Sequence, residues 1–256
     1  MNESTLKVWL EKDGCLLRLR LARPKANIVD AAMIAALQGA LAEHLASAQL
    51  RAVLLDAEGP HFSFGASVEE HLPDSCARML RQLHALILQI LESPVPFMVA
   101  VRGQCLGGGL EVAAAGHLIF AAPVTSFGQP EIKLAVFAPA ASCLLPERIG
   151  QSHAEDLLFS GRSIGAEEAH RIGLVNVIAE DPEQAALAYF DEHFAPRSAS
   201  SLRFAVQAAR TGVNERIRLK LVAVERSYLE DLMATHDAVE GLTAFIGKRT
   251  AVWEDR

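Results

Sequence analysis

The segment Pro94–Glu131, PVPFMVAVRGQCLGGGLEVAAAGHLIFAAPVTSFGQPE, constrains this chain more than any other. Phe97 to Val101 is a short apolar run behind two prolines and reads as a buried strand. It meets the cluster Gly107-Gly108-Gly109, and a helical stretch then opens with Leu110, Glu111, Val112, Ala113 and Ala114. A second apolar run leads to the turn Gln129-Pro130-Glu131. Strand, tight turn, helix and strand in one short segment predict an α/β fold. The segment also sets two carboxylates beside a glycine turn in the most apolar part of the chain. An acid there is costly unless it is partnered or used.

The chain has 256 residues, enough for one large domain or one domain with a small appendage, and 51% are hydrophobic, so a substantial core is expected. The formal net charge is −7 and no long run has one sign. That balance argues against a nucleic-acid or anionic-membrane partner, while leaving room for a local patch that takes a small anionic group. Cys15, Cys76, Cys105 and Cys143 are scattered and form no CxxC pair, as expected of reduced thiols in a cytoplasmic protein. The opening MNESTLKVWLEKDG lacks the basic start and apolar block of a signal peptide. Arg102, Glu111 and His117 interrupt the longest apolar region, so no membrane span is expected.

Along the chain, Leu6–Leu10 and Leu17–Leu21 read as two strands. In the second, Leu17, Leu19 and Leu21 alternate with Arg18 and Arg20, the sign of a half-buried strand. Asp13-Gly14 marks a hairpin. After the loop Arg23-Pro24-Lys25-Ala26-Asn27, Asp30 is placed to cap a helix running to about Ala46. Ala52–Asp56 reads as a buried strand, and a loop of unusual aromatic content, Gly59 to Ser67, follows it. Asp74 to about Glu92 reads as a helix ended by Pro94 and Pro96. Pro139–Ile149 is a short helix or turn, and Ser152 with Glu155 has capping-box spacing. Val175–Ile178 is a short strand. Helical patterns then dominate, in pieces at Ser198–Arg210, Glu215–Met233 and Asp237–Arg249.

Glu111 is either a carboxylate favoured by its own helix N-terminus or a desolvated general acid/base, and its apolar neighbours favour the second. Glu131 alone is an ordinary loop acid; its value depends on meeting Glu111, where two carboxylates can divide water activation and proton transfer. The glycines fit neither GxGxxG nor a P-loop. They suit an oxyanion hole of helix-start N–H groups, or simple close packing. Gly65-Ala66 offers a second N–H from another loop. The nine histidines show no metal-ligand spacing, so no metal is expected. No GxSxG elbow is present, which removes the serine-hydrolase reading.

Together these pieces resemble the crotonase (enoyl-CoA hydratase/isomerase) superfamily over nearly the whole chain. The resemblance is carried by RPKAN, FSFGAS, PVPFMVAVRGQCLGGGLEVA, SFGQPEIKL, FSGRSIGAEEAHRIGLVNVI and EGLTAFIGKR. It implies a ββα spiral core over residues 1–195 and a C-terminal helical trimerisation region over 196–256. It implies a homotrimer or homohexamer and a coenzyme A thioester substrate with no separate cofactor. It assigns catalysis to Glu111 and Glu131 and oxyanion N–H groups to Ala66 and Gly108. It assigns coenzyme A contacts to Lys25, Ala26, Ala66, Ser67, Val68, Phe245 and Lys248. Keeping both acids looks like a hydratase.

The sequence departs from the common hydratase pattern at Leu134–Ala141, where Phe137 and Pro139 replace small flexible residues, and at Ser67–His71 after the oxyanion loop. Phe64, Phe137 and Pro139 are therefore expected in the acyl pocket. PHFSFGASVEEHLP with VFAPAAS looks most like the hydratases of cyclohexa-1,5-diene-1-carbonyl-CoA in anaerobic aromatic degradation. The alternatives are a short-chain enoyl-CoA hydratase of β-oxidation, a double-bond isomerase, and a non-catalytic or RNA-binding protein of the same fold. The acidic balance argues against RNA.

Overall fold

The computed structural model describes residues 5–256. The chain begins with strands β1 (Leu6–Glu11) and β2 (Leu16–Leu21), helix α1 (Ala31–His44) and strand β3 (Ala52–Ala57). Helix α2 (Pro73–Leu91), strands β4 (Phe97–Val101) and β5 (Gln104–Leu106), helix α3 (Gly108–Ala115), and strands β6 (Leu118–Ala121) and β7 (Ser126–Gly128) follow. Then come α4 (Pro139–Ile149), α5 (Gln151–Ser160), strand β8 (Ser163–Gly165), α6 (Ala166–Arg171), strand β9 (Val177–Ile178), α7 (Pro182–Tyr189), α8 (Ala199–Glu230) and α9 (His236–Ile246). Single 3-10 turns lie at Glu69–His71 and Pro130–Leu134.

Six strands form one sheet in the order β1-β2-β3-β4-β6-β9. The β1–β2 pair is an antiparallel hairpin and the remaining pairs are parallel, with Val53 opposite Phe97 and Val99 opposite Ile119. Parallel strands covered on both faces need apolar residues on both, which is why FMVAV and AVLLD show no alternation. Leu17, Leu19, Val53, Leu55, Phe97 and Val99 join the main core with residues of α1, α2 and α3. Leu16, Leu54, Met98, Ala100 and Phe120 face the other way, against Ala186 and Phe190. A second, three-stranded sheet has the order β5-β7-β8. Among the described residues no helix is long and apolar enough to cross a membrane.

Four local expectations are corrected. The Arg18 face of β2 is buried: Arg18 is only 1% exposed and pairs with Glu11, Asp56 and Glu183, while Arg20 also holds Asp56. Helix α7, which carries Glu183, covers the face that alternation assigned to solvent. Ser152 and Glu155 form no capping box, because the cap falls two residues earlier, at Gly150, and α5 already begins at Gln151. The pieces Ser198–Arg210 and Glu215–Met233 are one continuous helix, α8, through Gly212 to Glu230. Its packing on α2 and α4 offsets the roughly 1 kcal/mol that a mid-helix glycine costs. The last strand begins at Val177, not Val175, because Val175 N already bonds to the Ala169 carbonyl at the end of α6.

The Arg18–Asp56 pair is buried on both sides. Asp56→Ala should therefore lower unfolding stability by about 3 kcal/mol, since it strands two guanidinium groups with only partial alternatives. Chemical denaturation of the variant against wild type checks this.

Candidate active site

Three segments distant in sequence meet where β5 turns into α3. Gly107 makes the turn with φ +50°. A Cβ there would sit 2.7 Å from Oε1 of Glu131, so the second carboxylate occupies the space a side chain would need. The loop before Ala66 is laced to β5: Ser63 N donates to the Gln104 carbonyl and Leu106 N to the Ser63 carbonyl, both at 3.0 Å. Val29 N donates to the Gly65 carbonyl at 2.9 Å and ties in the segment after RPKAN. As a result Ala66 N lies 3.1 Å from where a Gly108 Cβ would be. Among the described residues neither the Ala66 nor the Gly108 N–H donates within the protein. Two unsatisfied donors thus stand side by side, one of them at a helix N-terminus, where partial positive charge collects.

Glu111 sits in the first turn of α3 and is only 3% exposed. Its Oε1 accepts from Ala141 N at 2.8 Å. Ala141 lies in the first turn of α4, whose own cap residue, Ala138, supplies no side-chain bond. A carboxylate from another helix therefore satisfies a donor that sequence-local capping leaves open. Burial pushes the Glu111 carboxyl above its usual range; the Ala141 N–H, His84 and the Ala140 N–H pull it partly back.

Glu131 opens the 3-10 turn and is pushed up to about 8, by burial first and by the Glu111 charge second. The buried Gln129 amide, turned so that its nitrogen faces the carboxylate, donates to both Glu131 oxygens at 3.0 and 3.1 Å. Two acids that raise each other titrate as a pair, and at neutral pH such a pair favours holding one proton.

Both carboxylates and the free N–H groups of Ala66 and Gly108 line one pocket. Its walls are Leu80 and Leu83 of α2, Leu134, Val136 to Pro139, Leu242 of α9, and Phe64 and Val68 of the loop around Ala66. Leu242 comes close because Gly241 packs on the Leu134 carbonyl, where a Cβ would lie 2.2 Å away. Phe137 is held edge-on by Tyr228 of α8, ring centres 5.1 Å apart. Of the residues expected from sequence, Glu111, Glu131, Ala66, Gly108, Val68, Phe64, Phe137 and Pro139 line the cavity. Lys25, Ala26, Ser67, Phe245 and Lys248 do not. Lys25 and Lys248 are exposed, as is Phe245 at the end of α9 (56%), and the Ala26 carbonyl accepts from Phe64 N.

Sequence reasoning missed His71 as a wall residue. Its Nδ1 donates to the Ser67 carbonyl at 2.7 Å, and burial lowers its pKa, so the ring is neutral at pH 7. Its place in the unusual Ser67–His71 segment was the available signal. Leu80 and Leu83 were read only as helix core.

The model of the enoyl-CoA hydratase/isomerase family matches residues 11–256. The chain belongs to the enoyl-CoA hydratase/isomerase family. A cyclohexa-1,5-dienecarbonyl-CoA hydratase from Thauera aromatica is 72% identical over 253 residues, covering 99% of this chain and 98% of that protein. A probable enoyl-CoA hydratase from Rhizobium meliloti (strain 1021) is 33% identical over the whole of both chains (100% of each). Among solved structures, an enoyl-CoA hydratase/isomerase from Pseudoalteromonas atlantica T6c superposes with TM-score 0.83 at 28% identity, covering 97% of this chain and 99% of that one. In this hydratase/isomerase chain the mixed α/β core and the long C-terminal helix α8 follow the same architecture.

Gly107→Ala combines a positive φ with a Cβ aimed at Glu131. Displacing that carboxylate by about 1 Å should cost on the order of 100-fold in turnover. Steady-state kinetics of the variant, with circular dichroism to confirm folding, checks it.

Proposed function

We propose that this chain is a hydro-lyase that adds water to cyclohexa-1,5-diene-1-carbonyl-CoA, giving 6-hydroxycyclohex-1-ene-1-carbonyl-CoA, in the anaerobic breakdown of aromatic rings. The observation that carries the reading is the convergence of Glu111, Glu131 and the free N–H groups of Ala66 and Gly108 on one apolar cavity. The 72% identity to the Thauera aromatica hydratase supports the choice of acyl group.

The thioester oxygen binds between Ala66 N–H and Gly108 N–H. Glu111, favoured as the carboxylate by the α4 N-terminus, takes a proton from water as the water oxygen bonds to the β-carbon. The displaced electron pair moves to the thioester oxygen, where each oxyanion donor is worth about 3–4 kcal/mol in the transition state. In a ring diene that enolate extends over the second double bond. Its far carbon takes the proton that Glu131 carries, so the addition is 1,4. Flat walls such as Phe64 and Phe137 suit a ring held edge-on to both acids. Coenzyme A is part of the substrate and no separate cofactor is required. The exposed apolar residues Phe204, Leu219 and Val222 of α8, with Phe245 and Trp253, support assembly as a homotrimer or homohexamer. The four unpaired thiols suit a cytoplasmic setting.

Cyclohexa-1,5-diene-1-carbonyl-CoA should be turned over faster than crotonyl-CoA, with the hydroxycyclohexene product identified by mass spectrometry and NMR. A preference for crotonyl-CoA would instead support a general short-chain hydratase. Glu111→Gln and Glu131→Gln should each lower kcat by roughly 100- to 10,000-fold with little change in KM. The pH dependence follows from Glu131 acting protonated: kcat/KM should fall as pH rises through about 8, where that acid loses its proton. It should also fall in acid, as Glu111 becomes protonated.

A further inference from the structure

One polar group in the cavity wall takes no part in the reaction above. His71 ends the 3-10 turn Glu69–His71, and its N–H donates to the Val68 carbonyl at 3.0 Å. The acids of the turn pin it in place. Ser67 Oγ donates to Oε2 of Glu69 at 2.9 Å, and the Glu70 carboxylate accepts from Ala31 N, at the start of α1, at 3.2 and 3.4 Å. The His71 ring is tied to the same segment, with Nδ1 2.7 Å from the Ser67 carbonyl. A carbonyl only accepts, so Nδ1 carries a hydrogen. Burial keeps the ring neutral, and Nε2 therefore presents a lone pair. That lone pair has no partner among the described residues.

The rest of the wall offers it none. Val68, Leu80, Leu83, Val136 and Leu242 share the cavity with His71 and carry no side-chain donor. Glu111 accepts from Ala141 N, and Glu131 faces the Gln129 amide. The N–H groups of Ala66 and Gly108 serve the thioester oxygen in the proposed reaction. A cyclohexadiene ring brings no donor either, and it displaces water from the wall. Hydration gives the ring one donor, the new hydroxyl. An acceptor left against hydrocarbon costs free energy, so it separates ligands with and without a hydroxyl better than an apolar wall does. We propose that His71 is a specificity-determining residue: its Nε2 accepts the hydroxyl hydrogen of the hydrated ring, and the pocket holds a hydroxylated acyl group more tightly than a plain hydrocarbon one. The inference rests on the hydratase reading, which supplies that hydroxyl.

Isothermal titration calorimetry tests this with two ligands. One is 6-hydroxycyclohex-1-ene-1-carbonyl-CoA; the other is cyclohex-1-ene-1-carbonyl-CoA, which has the same ring and coenzyme A arm and no hydroxyl. Both are titrated into the full-length Glu111→Gln protein, where hydration and dehydration are slowed, with His71 either intact or replaced. With His71 intact the hydroxylated ester should bind about tenfold more tightly or better. His71→Phe keeps a planar ring and removes the acceptor. It should weaken the hydroxylated ester about tenfold and leave the plain ester within about twofold. His71→Met, apolar and of similar reach, serves if His71→Phe does not fold. Equal weakening of both esters would overturn the proposal, since Nε2 would then meet the coenzyme A arm or the ring would only close its turn. Unchanged binding of both would overturn it as well. The hydratase reading fails in a different place: wild-type enzyme would form no hydroxycyclohexene product from the diene, whereas the affinity ratio of the two esters reads His71 in either case.

Discussion

The hydrogen bond from Ala141 N to the Glu111 carboxylate is the interaction on which the rest depends. It joins α3 to α4 at a point where neither helix is capped by its own neighbours. It also makes a buried acid tolerable, because the first-turn N–H groups of α4 carry the partial positive charge that the carboxylate needs. Break that contact and α4 loses its cap, the wall from Val136 to Pro139 loses its anchor, and Glu111 loses the donor that partly offsets its burial. One bond therefore serves stability, cavity shape and chemistry at once.

The cavity sets both carboxyls in the same water-poor surroundings. Its walls are almost all apolar, so each acid feels its neighbours through little solvent. Burial acts on both: Glu111 has the α4 N-terminus to offset it, while Glu131 has the charge of Glu111 added to it. Burial thus pushes both carboxyls toward the acid form, with Glu111 partly held back by the N–H groups of α4. The unpartnered N–H groups of Ala66 and Gly108 open on the same cavity.

Much of this was legible before any coordinates. FMVAV and AVLLD had to be buried strands because a continuous apolar run of that length has no half-exposed solution. Asp30 caps α1 as its position implied. The short strands β5, β7 and β8 were not legible, since three residues carry no periodicity and are strands only because a partner strand is present. Arg18 was misread for a related reason: alternation tells which residues share a face, not what covers that face. His71 lies in an unusual segment of the sequence, but its place in the cavity wall depends on the 3-10 turn that carries it.

The sequence by itself determined the α/β class, the glycine turn ahead of Glu111 and the presence of a second acid twenty residues on, because local apolar runs and turn residues act within a few bonds of where they are written. Only the fold in three dimensions settles that Gly107 leaves room for Glu131 and that the α4 N-terminus meets Glu111. Those are contacts between segments well apart in the sequence, and they form because helices close on both faces of a sheet. Proton affinity is set by such long-range neighbours and by exclusion of water, and neither is a property of a stretch of chain.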